Sequence, residues 1–241
     1  MLALCLRRLR EAPGCPEVLI CADTAADLTQ IEYVRDTEFP EADILHAKPH
    51  IAAPSGCWNI LNSIKQGSRL AQNVFFVEDD VMVYPRFFSW HKAQKGDVSC
   101  GRRLAGPYEA WSRRYPTAYT NPGSYLRRPA LDKLIPHIND DYFTRLRGYL
   151  DEKFGKADHW TDLDDGLIRR VVGDCIYPEK PVCAHQGFRM YNRIDIYMNQ
   201  GTIQEKIAGL ERILSSIQPG DRYAQDFEFY LSSEGENGPE S

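Results

Sequence analysis

Residues 74–83 read Val74-Phe75-Phe76-Val77-Glu78-Asp79-Asp80-Val81-Met82-Val83, and the fold turns on how this stretch is read. Four apolar, β-favouring residues come first. Such a run predicts a central strand buried on both faces. Three carboxylates follow at its end, and the chain then becomes apolar again. Acids held between two buried segments repel one another and lose hydration. A hard divalent cation with oxygen ligands relieves both effects. The competing reading is a solvated acidic loop.

Outward from this strand, helical and strand-like segments alternate. The spacing predicts a helix over 2–11, a strand over 17–22 ending at Asp23, and a helix over 57–71 with a single buried stripe. Pro85 opens a short aromatic helix. Residues 101–124 are rich in Gly, Pro, Tyr and Arg and read as irregular. Helical patterns recur over 129–137, 140–154, 163–172 and 203–217, with a short strand within residues 175–188. This alternation predicts an α/β domain whose central, mostly parallel sheet is flanked by helices. Ligands of such sheets bind beyond the carboxyl ends of the strands, where Asp23 and the acidic triplet fall. One domain is expected over 1–230, followed by a disordered tail over 231–241.

The 241 residues include 29 Lys plus Arg and 34 Asp plus Glu, a net charge of −5. That balance argues against a general nucleic-acid binder. No apolar run is long enough to span a membrane. The seven cysteines form no C-x-x-C pair, so neither a zinc cage nor a complete disulfide framework is indicated. The chain as it stands reads as cytoplasmic; an upstream anchor or signal would change that. No G-x-x-x-x-G-K-[ST] phosphate loop is present.

Residues 74–88, VFFVEDDVMVYPRFF, resemble the E-D-D segment of metal-dependent glycosyltransferases of the GT-A fold. The likeness is to the inverting N-acetylglucosaminyltransferases that extend N-glycans and O-mannosyl glycans. Further similarity lies in residues 4–23, in Asn121-Pro122-Gly123-Ser124-Tyr125-Leu126, and in 163–170 with the Cys-Ile-Tyr-Pro-Glu of 175–179. A GT-A domain begins with a strand that this chain lacks, and the family aromatics flanking the Asp-Asp pair are here Leu163 and Gly166.

The resemblance implies transfer of a sugar from a UDP-sugar to a glycan or other hydroxyl acceptor, with Mn²⁺ or Mg²⁺ as cofactor. Asp80 is then the direct metal ligand, with His185 as an additional one. Glu78 and Asp79 orient the ribose, the sugar or water on the metal, and Asp23 meets the uracil. Asp164 is the catalytic base, with Asp165 in reserve. Both aspartates also suit the first turn of a helix, where acids are stabilised by the dipole. Tyr108, Trp111, Tyr115 and Tyr119 are candidate platforms for an acceptor sugar, whereas Trp58, Phe87, Phe88 and Trp90 read as core. Arg127, Arg128, Arg189 and Arg193 are candidate partners for phosphate or acceptor charge. Pro49 disrupts any helical zinc pair of His46 and His50. Two other readings use the same residues: an inactive remnant that binds carbohydrate or a protein partner, and a metal-dependent nucleotidyltransferase or phosphohydrolase.

Overall fold

The computed structural model describes residues 2–50, 55–103, 114, 116–120, 123–156 and 164–185. The amphipathic segment 203–217, the tail 231–241 and Arg189 and Arg193 lie outside them. Helix α1 (Leu2–Glu11) precedes β1 (Leu19–Ala22), α2 (Leu28–Glu38) and β2 (Asp43–His46). Then come α3 (Ser55–Leu70), β3 (Val74–Phe76), β4 (Val81–Val83), α4 (Phe87–Ala93) and β5 (Val98–Cys100). After β6 (Ser124–Leu126) follow α5 (Arg128–Leu134), α6 (Asp140–Arg145), α7 (Arg147–Phe154), α8 (Asp164–Val172) and β7 (Cys183–His185).

The mixed α/β class is as expected, but the sheets are not mostly parallel. Only β1 and β2 pair in parallel among the described strands. β6 lies between β3 and β5 and runs antiparallel to both, and β7 runs antiparallel to β4. The cause is the segment after β5. The ladder of Cys100 with Ser124 continues into a Gly101 N–H bond to the Gly123 carbonyl at 2.7 Å, so the chain doubles back on its own strand. Alternation of element types carries no information about such a return.

β3 is the partition between two hydrophobic cores. Val74 and Phe76 face a cluster built from α3, β5, β6 and α5–α8. Phe75 and Val77 face the other way, onto a cluster of α1, β1, α2, β4 and α4. The period-two alternation of a strand places them so. Phe75 stacks on its cross-strand partner Tyr125 with ring centroids 4.2 Å apart. Helix α3 buries Cys57, Leu61 and Ile64 and packs on β1, β3 and α8.

Two expected helices are interrupted. In 129–137, α5 gives way to a 3₁₀ turn over Ile135–His137. In 140–154, the helix breaks at Leu146, whose φ of 43° is a left-handed conformation for a residue with a Cβ.

The glycine pair at the base of the β5–β6 return is sterically required. Gly123 has a φ of +56°, and a Cβ there would come within 2.9 Å of both Cys183 Sγ and Phe87 Cε2. Gly101 accepts from Val182 N–H at 2.9 Å, so β7 is tied into the same crossing. Gly123→Ala is expected to destabilise the protein by about 2–4 kcal/mol, combining left-handed backbone strain with overpacking. Chemical denaturation measures it, and a change below about 1 kcal/mol would contradict the packing described.

Helix α1 is anchored to α2 by Arg7, whose Nε and Nη2 donate to Glu38 Oε2 and Oε1 at 2.9 and 2.8 Å. Glu38 is only 8% exposed. Removing its partner leaves a carboxylate in a poorly hydrated place. Arg7→Ala should therefore cost about 2–3 kcal/mol. In a double-mutant cycle with Glu38→Gln the two losses should add to clearly more than the double mutant shows; additive losses would mean the pair contributes nothing.

Candidate functional site

The acidic triplet forms the turn between β3 and β4. The Glu78 carbonyl accepts from Val81 N–H at 3.1 Å and from the Cys5 thiol at 3.5 Å. Thus α1 underlies the triplet, a contact that sequence reasoning did not anticipate. Burial pushes the Cys5 thiol far above its ordinary range, and the charges of Asp79 and Asp80 push it further. Asp79 is exposed and Glu78 half-buried. Asp80 is half-buried, with its Oδ1 atom inside the surface. β4 then continues fully buried, so the acids are held from both sides. His185, the last residue of β7, stands in register with Val81, the residue after Asp80. The register thereby sets the His185 position one residue along the ladder from Asp80. Among the described residues, no group of three or more His, Cys, Asp or Glu side chains forms a metal cage.

Asp23 lies just past the end of β1. Its Oδ1 accepts from Ala25 N–H at 3.0 Å and from the Thr24 hydroxyl at 3.4 Å, and its carbonyl accepts from Ala26 N–H. These bonds close an Asx turn that fixes the loop after β1.

Asp164 and Asp165 open α8 and point to different work. Asp165 pairs with Arg169 on the same helix at 2.6 Å. Arg169 in turn donates to the Tyr119 carbonyl at 2.6 Å, so Asp165 belongs to a clamp that holds the segment before β6. Asp164 is 7% exposed and lies against α3. The Cys57 thiol is pushed up to about 12, by burial first and by the Asp164 charge next. The Asp164 charge also acts on Tyr119, whose hydroxyl burial raises well above its usual value.

The two acid groups lie in different parts of the domain. The triplet belongs with α1 and β4, the aspartate pair with α3 and the second core. Helix α3 connects them, since it packs on both β3 and α8.

Several other expectations are corrected or relocated. Tyr119 is fully buried, with its hydroxyl 2.9 Å from Ser124 Oγ, so it offers no face to a sugar. Tyr108, Trp111 and Tyr115 lie outside the described residues. Phe87 and Phe88 are core, as read. Arg127 donates to the carbonyls of Lys92 and Gln94 and covers the Tyr125 ring, which makes it a structural bridge. Arg128 pairs with Asp132 at 2.8 Å. His50 bonds Asp140 at 3.1 Å and its ring lies 4.7 Å from that of Trp58.

Compared with known proteins, the chain matches no family model and no curated protein. None of the helices among the described residues is long and apolar enough to cross a membrane.

Proposed function

We propose that the chain is a metal-dependent, inverting glycosyltransferase of GT-A type that moves a sugar from a UDP-sugar to a hydroxyl acceptor. The observation that carries this reading is the buried Asp80 carboxylate oxygen at the turn between two buried strands, with a histidine position across the ladder. Withdrawing a carboxylate oxygen from water is unfavourable, and a cation offsets that. The donor set also fits the kind of ion. Sites for Mg²⁺ and related ions that act on nucleotides use one or two carboxylates, and substrate phosphates and water complete the shell. Asp80 would hold the ion, with His185 beside it.

A divalent cation bound there supplies positive charge to the departing diphosphate. The remaining roles belong to the chain. Asp79, exposed at the turn, and half-buried Glu78 orient the ribose and sugar hydroxyls. Asp23 presents its second carboxylate oxygen to the base while Oδ1 maintains the turn. Asp164, withdrawn from bulk water, takes the proton of the acceptor hydroxyl as it attacks the anomeric carbon. Asp165 is removed from that role by its ion pair with Arg169.

Calorimetric titration with UDP tests the reading. Binding is expected in the presence of Mn²⁺, lost on chelation, and weakened at least tenfold in Asp80→Ala with folding retained. If UDP fails to bind at millimolar Mn²⁺, or binds Asp80→Ala equally well, the proposal is wrong. Release of pyrophosphate from a nucleoside triphosphate would instead identify a nucleotidyltransferase.

A further inference from the structure

On the α3 side of the molecule lies an open cavity of about 460 Å³, lined by Trp58, Lys65, Ile138, Asn139, Asp140 and Asp141. We propose that this cavity is a saccharide-binding site, and, resting on the glycosyl-transfer reading above, that it receives a neutral sugar ring of the acceptor. Its volume is in the range of small-molecule sites, about 300–1,000 Å³.

The chemistry of its wall selects the ligand. Trp58 contributes an indole whose orientation is locked. Its N–H donates to the Lys48 carbonyl at 2.8 Å, and the Phe143 ring meets it edge-on at 5.2 Å. Asp140 holds its carboxylate almost wholly in solvent, at 95% exposure, while one oxygen accepts from His50 at 3.1 Å. Lys65 is stationed by donating to the Ile138 carbonyl at 2.8 Å, and an ammonium has three hydrogens to give. An aromatic surface beside one acceptor and one donor matches a pyranose, which presents C–H groups on its faces and hydroxyls that both donate and accept at its rim. A purely apolar ligand would strip water from Asp140 and Asp141 without return. A polycation would find Asp141 already paired with Arg145 and would meet the like charge of Lys65, leaving Asp140 as its one attraction.

The position of the cavity links it to the aspartate pair. Cys57, the neighbour of Asp164, and Trp58, the wall of the cavity, are consecutive residues of α3. Consecutive helical residues differ by about 100° in direction, so the two lie on adjoining faces. A sugar against Trp58 would therefore lie on the face next to the one that meets Asp164. Trp58 takes over the part that Tyr119, being buried, is unable to play.

Saturation-transfer NMR tests the inference without UDP or metal, using methyl α-mannopyranoside, methyl β-galactopyranoside, N-acetylglucosamine and spermidine as separate probes. At least one sugar is expected to bind saturably with Kd of about 1–10 mM, the affinity of a weak single-ring contact. Asp140→Ala should weaken it at least tenfold. That exposed side chain is not needed for folding, which circular dichroism checks. Trp58→Phe should keep binding within about threefold and Trp58→Leu should abolish it. The inference is overturned if no sugar saturates below about 50 mM, if Asp140→Ala binds as well as the parent, or if spermidine is the only ligand. Sugar binding in a protein that ignores UDP would keep the saccharide site and remove glycosyl transfer. Metal-dependent UDP binding without sugar binding would do the reverse.

Discussion

Asp164→Asn is expected to lower sugar transfer by about 10²–10⁴-fold while leaving UDP affinity and melting temperature close to those of the parent. Asparagine keeps the shape of the side chain and an amide oxygen that still interacts well with the start of a helix. It removes the charge and the ability to accept a proton. The two readings of Asp164 therefore separate. A carboxylate serving only the α8 dipole contributes about 0.3–1 kcal/mol to stability and nothing to turnover. A general base contributes to turnover and little to stability. The comparison is sharpened by Asp165→Asn, which breaks the pair with Arg169. It should lower stability, because the clamp on the Tyr119 carbonyl loosens, yet leave UDP affinity unchanged. Turnover measured by UDP release, alongside thermal melting of both variants, decides the matter. Full turnover in Asp164→Asn would assign that residue to helix capping alone.

What could be read from the residues depended on how far apart the interacting segments lie along the chain. The strand at 74–77 announced itself as an unbroken apolar run, and the helices at 2–11 and 57–71 through patterns of period 3.6; β3, α1 and α3 follow them closely. Helix α2 went unread because its apolar stripe is thin: it buries Val34 and the ion-paired Glu38. It is set instead by its cap, where Asp27 accepts from the N–H groups of Thr29 and Gln30. Strands β4, β5 and β6 are three residues each and buried throughout, so they have no alternation to detect and no sign of direction. Their antiparallel arrangement depends on the close approach of Gly101 and Gly123, which are far apart in sequence and appear only as separate glycines.

The candidate site divides along the same line. The acids of the triplet are contiguous, so their placement at the end of β3 was legible. That α1 underlies them through Cys5, and that His185 comes level with Val81, depends on segments more than seventy residues away. Asp164 and Asp165 looked equivalent in sequence. Their difference lies in Arg169, one helical turn on, and in whether the neighbouring α3 surface excludes water. Trp58 was read as core from its apolar character. Its partial exposure beside Asp140 is set by α6, a helix whose packing on α3 the local sequence does not encode.

The protein should lose stability on mild acidification, by about 2 kcal/mol between pH 7.5 and 5, and His91 should account for most of that loss. His91 is fully buried in α4 among the rings of Phe75, Phe87, Trp90 and Tyr125. Its Nδ1 lies 2.7 Å from Ser99 Oγ. Burial disfavours the imidazolium and lowers its pKa from 6.5 to about 3. The folded protein thus keeps this ring neutral down to a pH at which the unfolded chain has already taken up a proton. Between these two values the unfolded state binds more protons, so stability rises with pH and falls as acid is added. The stabilisation is fully present above the unfolded pKa and disappears progressively below it, reaching about 5 kcal/mol of loss once both forms are protonated. At pH 5 the partial loss corresponds to a melting temperature lowered by about 4–8 °C for a protein of this size. Carboxylates with ordinary pKa values titrate mainly below that window, so melting between pH 7.5 and 5 isolates the histidine contribution. His91→Gln supplies the control. Its amide can still engage Ser99 but does not titrate, so the variant should be less stable than the parent at pH 7.5 and much flatter down to pH 5, with a residual slope from His137, whose pKa is also lowered by burial. A parent whose melting temperature is constant across this range would mean that His91 is hydrated and able to accept a proton, and the packing of α4 against β3 and β6 would have to be looser than described.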